Sequence, residues 1–419
     1  MANGLKIFTV LILCVNNFAG LYAAEINRNE TVQTRARPDY DPKGIRLGSF
    51  NLAPKVSVFY AQDDNIRPNE NVDLDDSIMI VTPEMELKSD WGKHEVAAGV
   101  RVVDASYDDY SNEDWTDYEY WGDGTFEFGR SELIVSASHK KLHELRTSAN
   151  DEGGLDPTEY TLDRVSLGYR YKPNRYFFDF LLKLSTVDFD DTVNLPPPFG
   201  PGGITNNDDR DRDKTDARFR FGYQVSPGYS LFAESRLYDI DYDLDVDRDG
   251  ENRDSDGYDL LVGTELDISS VIFGEFFLGY RSFDYEDAAF ETEDGFTYGA
   301  DIDWNITRLT TFNFVARQVI SGTTVQNSSG IETTELKFHV DHELRRNILL
   351  NLMVDYRNED FLQILREDHY WRLKVGAEYF LNRNWSLDGG YIYQRRDSYK
   401  EIANEYTINQ LYIGFSAQI

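Results

Sequence analysis

From about residue 45 to the last residue, apolar and polar side chains take turns with a period of two. Only an extended strand with two unlike faces reproduces that period. In the block Tyr118 to Phe128 the even positions are Tyr118, Tyr120, Gly122, Gly124, Phe126 and Phe128, and the odd ones are Glu119, Trp121, Asp123, Thr125 and Glu127. The same alternation sets Ala217, Phe219, Phe221, Tyr223 and Val225 against Asp216, Arg218, Arg220, Gly222 and Gln224. It sets Trp371, Leu373, Val375, Ala377 and Tyr379 against Arg372, Lys374, Gly376 and Glu378. A slip of one residue would exchange the two faces completely, so each strand has one workable register.

The connections alternate in length. Short turns fall near Asp90 to Lys93, Gly129 to Ser131, Lys172 to Arg175, Ser226 to Gly228, Ser269 to Ser270, Asn305 to Arg308, Glu343 to Asn347 and Leu381 to Asn384. Longer polar stretches fall near 62–76, 107–116, 146–158, 188–214, 239–257, 284–295, 319–332, 358–368 and 398–405. Together they separate about eighteen strands, or sixteen if the irregular first one, about Leu52 to Ala61, is lost with its partner; single-chain bacterial barrels carry even numbers. The predicted fold is all-β: a transmembrane, antiparallel, up-and-down barrel with short periplasmic turns and long extracellular loops. Trp91, Tyr171, Tyr176, Tyr223, Tyr229, Trp304, Tyr379 and Trp385 lie beside short turns, and Tyr107, Tyr160, Tyr238, Tyr258, Tyr285 and Tyr406 near long loops. Their placement predicts an aromatic girdle at each headgroup level.

Composition agrees with a strand-built membrane protein. Aromatic residues make up 14% of the 419 positions, yet the mean hydropathy is negative and no apolar run after the first two dozen residues reaches helix-spanning length. Lys6, the apolar run Ile7 to Val15 and the small residues Ala19, Gly20, Ala23 and Ala24 have the layout of a cleaved secretory leader. The expected division is leader 1–24, periplasmic segment 25–44 and barrel 45–419. Cys14, the one cysteine of the sequence, lies in that leader, so disulfide, cysteine-nucleophile and thiolate-metal readings of the remaining chain fall away. Against 42 Lys and Arg stand 75 Asp and Glu, a formal charge of −33. Phosphate backbones require clustered cations, so nucleic acid is not an expected partner. Expected partners are outer-membrane lipids and lipopolysaccharide, small hydrophilic solutes, and the barrel-assembly machinery through the C-terminal strand, where Leu411, Ile413, Phe415, Ala417 and Ile419 alternate to the end. Oligomeric state is not set by these features.

Several blocks occur in a familiar order: "GSF" at Gly48 to Phe50, "YAQDDNI" at Tyr60 to Ile66, "SDW" at Ser89 to Trp91, "PTEY" at Pro157 to Tyr160, "NNDDRDR" at Asn206 to Arg212, "SPGY" at Ser226 to Tyr229, "RDSDGYD" at Arg253 to Asp259, "VDHELRRN" at Val340 to Asn347 and "YFLNRNWSL" at Tyr379 to Leu387. Over nearly all of the chain beyond the leader, the sequence resembles the putative beta-barrel porin 2 family of proteobacterial outer-membrane proteins. The resemblance implies an outer-membrane barrel, and for some related barrels a link to exopolysaccharide or capsule loci. It supplies no catalytic residues.

The polar face of the alternation is the expected lumen lining: Arg101, Glu119, Asp123, Arg164, Arg170, Asp179, Arg218, Arg220, Arg236, Glu265, Arg281, Asp301, Asp303, Arg317, Arg372 and Lys374. Eighteen strands enclose more space than side chains fill, which predicts a water-filled channel whose acidic excess favours cations. The rival expectation is a component of surface-polysaccharide export or attachment. In the connection 188–214, "PPPFGPGG" from Pro196 to Gly203 marks the segment expected to fold into the mouth. Asp245, Asp247, Asp249 and Asp256 follow part of a calcium-loop spacing. Arg253 in the ninth position and Asp in place of Glu at the twelfth depart from that spacing, leaving a solvated acidic loop as the other reading; no other cofactor is expected. None of the six histidines belongs to a hydrolase or zinc motif, so no enzymatic activity is expected. About twenty-five residues before the first strand are too few for a transporter plug.

Overall fold

The computed structural model describes residues 30–68, 73–151, 153–195, 202–268, 271–400 and 405–419. The leader and the segment Pro196 to Pro201 lie outside the described residues. Eighteen long antiparallel strands form one sheet. The first nine are β1 (Phe50–Asp63), β2 (Asp76–Ser89), β3 (Glu95–Tyr107), β4 (Trp115–Phe128), β5 (Ser131–His143), β6 (Glu159–Tyr171), β7 (Tyr176–Phe189), β8 (Arg212–Ser226) and β9 (Tyr229–Tyr242). The rest are β10 (Ser255–Ile268), β11 (Ile272–Tyr285), β12 (Glu293–Thr307), β13 (Thr310–Ser321), β14 (Ile331–Arg345), β15 (Ile348–Phe361), β16 (Arg366–Phe380), β17 (Trp385–Tyr399) and β18 (Tyr406–Gln418). Each pairs with its sequence neighbours, and β18 returns to β1 from Lys55 with Gln418 to Asp63 with Gln410, closing the ring. Closure gives every strand two partners, and so removes the unpaired edges that a membrane would not tolerate.

Strands of 12 to 15 residues exceed the roughly 9–11 that cross a bilayer, so they project beyond the hydrocarbon. The outer face carries Val165, Leu167, Phe178, Phe219, Phe221, Leu260, Val262, Leu411 and Ile413, all exposed, Leu411 by 64%. In water that surface would be an aggregation site; against acyl chains it is the favourable side. At the short-turn end Trp91, Tyr171, Tyr176, Tyr229, Trp304, Tyr379 and Trp385 are exposed, forming the expected girdle.

The extracellular girdle differs from expectation. Of the six tyrosines assigned to it, Tyr258 points outward. The others have inward parity. Tyr238 donates to Asp259, Tyr160 stacks on Phe189, Tyr285 packs against Phe283 and Phe290, Tyr406 is buried, and Tyr107 joins the cluster Ile66, Ile78, Ile80 and Ala105. Loops fold over this end and create an interior in which rings can be buried, so nearness to a loop did not fix the face. The connection placed at 358–368 is also shorter than expected, because β15 and β16 extend to Phe361 and from Arg366.

Residues 30–44 enter the short-turn mouth. Gly44 N donates to Ile419 O beside β18, yet Val32 N donates to Thr311 Oγ1 and Asn305 Nδ2 donates to Glu30 O, so the segment crosses from β18 to the β12–β13 side.

Candidate functional site: the lumen

Side chains on distant strands meet on one face, which is therefore the concave one. Arg170 on β6 reaches Glu265 on β10 at 3.4 Å, and Arg220 on β8 reaches Glu275 on β11 at 2.7 Å. By strand register all sixteen expected lining residues share this face. Arg101 faces Glu84 at 3.2 Å, and Arg281 holds Asp259 through two hydrogen bonds of 2.7 and 2.9 Å. Arg236 and Arg220 share Glu234, Arg317 pairs with Glu335, and Asp301 and Asp303 both accept from Asn313 Nδ2. Arg164 donates to Ser185, Asp179 lies 3.4 Å from Arg170, and Arg372 stands opposite Asp355 in register. Glu119 holds Lys140 at 2.7 Å, Asp123 lies two inward positions further along β4 beyond Trp121, Arg218 approaches Glu234, and Lys374 sits over the Tyr412 ring.

Aromatic rings organise much of this network, and the alternation had not revealed them. Phe177, Phe232 and Phe277 have inward parity, and each lies flat over a glycine of the neighbouring strand. A Cβ on Gly222 would sit 1.9 Å from the Phe177 ring, one on Gly263 2.5 Å from Phe232, and one on Gly299 2.3 Å from Phe277. A guanidinium covers each ring: Arg170 at 4.9 Å, Arg220 at 3.8 Å and Arg236 at 4.5 Å. The glycine makes the pit, the ring fills it, and the ring supports a cation aimed at a carboxylate. The available signal was a pair of adjacent apolar residues interrupting the alternation, as at Phe177-Phe178 and Phe276-Phe277, with glycine opposite.

Charge is layered along the axis. Within six residues of the short turns, inward positions carry Glu84, Glu86, Glu95, Asp123, Glu127, Glu132, Asp179, Glu234, Glu265, Asp267, Glu275, Asp303, Asp341, Glu343, Glu378 and Asp388. Among the described strand residues their cationic counterparts at this level are Lys55, Lys88, Arg170 and Arg220, the last in register with Asp179 and Glu234 and paired with Glu234, Glu265 and Glu275. Further in, Arg101, Lys140, Arg164, Lys183, Arg218, Arg236, Arg281, Arg317, Lys337, Arg357, Arg372, Lys374 and Arg396 form a belt. Its members include close ion pairs such as Lys183 with Asp216 at 2.6 Å and Arg357 with Glu359 at 3.0 Å. An acidic collar at the periplasmic side thus leads to a belt of balanced charge.

At the opposite end, the loop 144–158 spans the mouth. Thr147 hydrogen bonds Tyr406 of β18, and Asn150 Oδ1 accepts from Thr323 Oγ1 and Thr324 N at 2.9 and 3.1 Å, beyond β13. Buried ion pairs fasten it. Glu113 accepts from Arg67 and from Arg146, and Glu144 takes both terminal nitrogens of Arg210 at 3.1 and 2.8 Å. Burial is the largest influence on Arg146 and works against its charge, yet Glu113 and Asp151 more than offset it and hold its pKa above the ordinary value. The described parts of 190–211 brace this loop, through Leu155 N on Val193 O and Thr158 on Thr192, rather than crossing the mouth themselves.

The four aspartates of the calcium spacing are not brought together. Asp247 accepts from Asp249 N, Glu251 N and Arg253 Nε, so the arginine in the ninth position takes the place a cation would need. Asp256 already lies in β10. Among the described residues no three His, Cys, Asp or Glu side chains converge to hold a metal.

No curated protein matches the sequence. Among solved structures, OccAB3 of Acinetobacter baumannii aligns at 12% identity and TM-score 0.43, covering 89% of this chain and 100% of that one. OpdK of Pseudomonas aeruginosa aligns at 10% and 0.44, covering 89% and 99%. The FrpB iron transporter of Neisseria meningitidis aligns at 8% and 0.44, covering 90% and 82%. The family model described as "Putative beta-barrel porin 2" matches residues 37–419, and with a closed eighteen-strand ring around a charged lumen the chain belongs to that family of porin-like outer-membrane barrels.

Proposed function

We propose that this barrel is a passive channel for small hydrophilic solutes and ions, with preference for cations. The acidic collar carries the reading. It concentrates carboxylates at one level of a lumen wide enough for water, and a ring of one charge sign raises the local concentration of opposite ions. The belt above it is internally balanced and adds little net field. Measured in planar bilayers under a salt gradient, the reversal potential should take the sign of cation flow, and anion flow would overturn the charge reading. Liposome swelling with sugars of graded size tests the diffusion itself.

Surface-polysaccharide export or attachment is the second reading, favoured by the loop lid, whose buried ion pairs present a fixed outer surface. A barrel that passes no current, and whose loss abolishes surface polysaccharide, would favour it.

A further inference from the structure

The N-terminal segment is not needed to complete the barrel. Closure is made by β1 on β18, and beyond the short pairing of Ile45–Leu47 with β1 and the Gly44 bond to Ile419, the segment adds nothing to the sheet. Instead it runs along the periplasmic rim from β18 past the β16–β17 turn, where Arg383 donates to Pro38 O, and sets Val32, Arg37 and Tyr40 against the wall of β14 to β16, the first two buried and the third half-buried. Val32 is fully buried with Leu349 and Phe380, Tyr40 packs on the Phe380 ring, and Arg37 has no exposed side-chain surface.

Arg37 enters the acidic collar. Its Nη2 lies 3.5 Å from Glu343 Oε2, which Arg35 also approaches at 3.9 Å, and its guanidinium stands 5.9 Å from the centre of the Phe380 ring. The fit is incomplete. Arg37 Nε and Glu343 Oε2 are both buried without a hydrogen bond, because the guanidinium is turned by its own backbone and donates to Val32 O and Arg35 O. A guanidinium free of the chain could turn and meet the carboxylate with two parallel bonds, the arrangement that planar group favours. A carboxylate beside an aromatic wall with an apolar floor is the chemistry that recognises such a cation.

We propose that residues 30–43 are a tethered stopper, and that the pocket they fill, formed by Glu343, Leu349 and Phe380 on the periplasmic rim, is a binding site for guanidinium-bearing solutes in which Arg37 is the resident occupant. The stopper is held by hydrogen bonds, by the packing of Val32 and Tyr40 on Leu349 and Phe380 and by a loose ion pair, and at that ion pair a soluble guanidinium competes with Arg37. Ligand binding does not depend on the channel reading; its effect on current does.

The test compares the full barrel with a variant lacking residues 30–43, using L-arginine methyl ester as the probe. Calorimetry in detergent should show saturable binding to the shortened barrel and binding weaker by on the order of tenfold when Glu343→Gln is added, as for loss of one charge-assisted pair. In bilayers the shortened barrel should conduct more than the full one and be blocked by the probe from the short-turn side. If the shortened chain does not insert, Arg37→Gln in the full chain removes the resident guanidinium from Glu343 while leaving Val32 and Tyr40 in place, and should bind the probe more tightly than the parent chain does. Equal conductance with no saturable binding overturns the proposal while leaving the channel intact. Saturable binding to a barrel that passes no current supports the pocket and removes the channel.

Discussion

At the extracellular end Glu113 lies buried between Arg67 and Arg146, and Glu144 lies buried against Arg210, each carboxylate matched by guanidinium groups from other loops. At the periplasmic end Asp301 and Asp303 share one asparagine amide, Glu378 stands opposite Asp388 in register, and Glu343 meets a loosely placed Arg37. The first arrangement spends its charges on structure: the pairs are satisfied and exert little field beyond themselves. The second leaves carboxylates in excess on strand ends joined by short, tight turns that need no ion pairs to hold them. One end is therefore shaped by its charges, and the other displays them. In a barrel whose wall is fixed by backbone hydrogen bonds, charge at the two mouths is free to serve different ends.

The sharpest way to break this contrast is to remove one partner at the knitted end. Glu113→Ala strands two guanidinium groups among the loops, and breaking a buried pair costs about 3–5 kcal/mol. Trypsin should then cleave after Arg146 well before the barrel unfolds in guanidinium chloride. Asp90→Asn, which removes an exposed pair with Arg46, should change neither measurement. Equal protease resistance in both variants would mean that the lid does not rest on its ion pairs. A smaller loss is expected in the wall. Gly222→Ala forces the Phe177 ring away and with it the perch of Arg170, an overpacking cost of about 1–3 kcal/mol by chemical unfolding. An unshifted midpoint would show that the ring moves freely. Smaller again in free energy, Asp303→Asn with Glu378→Gln should lower the cation-to-anion permeability ratio, most visibly at low salt, whereas Lys374→Gln should raise it. A ratio indifferent to all three would place the selecting charges elsewhere.

The faces of the strands were legible because each carries its own evidence: Phe219 beside Arg220 leaves one register. The strand count followed from turns rich in polar and glycine residues, such as Ser226 to Gly228. What the sequence did not display were contacts that join distant positions. Asn150 with Thr323 and Glu144 with Arg210 are single polar residues in polar loops, with no period to mark them, so nothing in the sequence marked the loop 144–158 as one that spans the mouth. The segment around Val32, Arg37 and Tyr40 was opaque for the same reason, since three side chains that bury at irregular spacing leave no pattern. The inward tyrosines were misassigned on position when parity was already available; Tyr238 falls in step with Glu234 and Arg236.

The weakest expected effect concerns how the knitted end responds to pH. Asp211, where the connection 190–211 meets β8, accepts a hydrogen bond from Phe189 N at 2.7 Å. Burial, followed by the nearby charges of Asp188, Asp208 and Asp243, pushes its pKa from 3.8 up to about 6 despite that bond. Burial also raises Asp151 in the crossing loop, against the pull of Arg146. A carboxyl whose pKa is raised in the closed loop binds its proton more tightly there than in an opened one. Its contribution to closure is therefore complete below about pH 4 and is lost as pH rises through about 6. Amide exchange of residues 190–195 and 202–211 should quicken between those values and then level off, while the short turns at the other end show no such step. Asp211→Asn carries no titrating proton and should flatten most of the profile. A step that survives the substitution would assign the response to Asp151, and a profile flat in the parent protein would mean that the lid is closed by its arginine pairs alone.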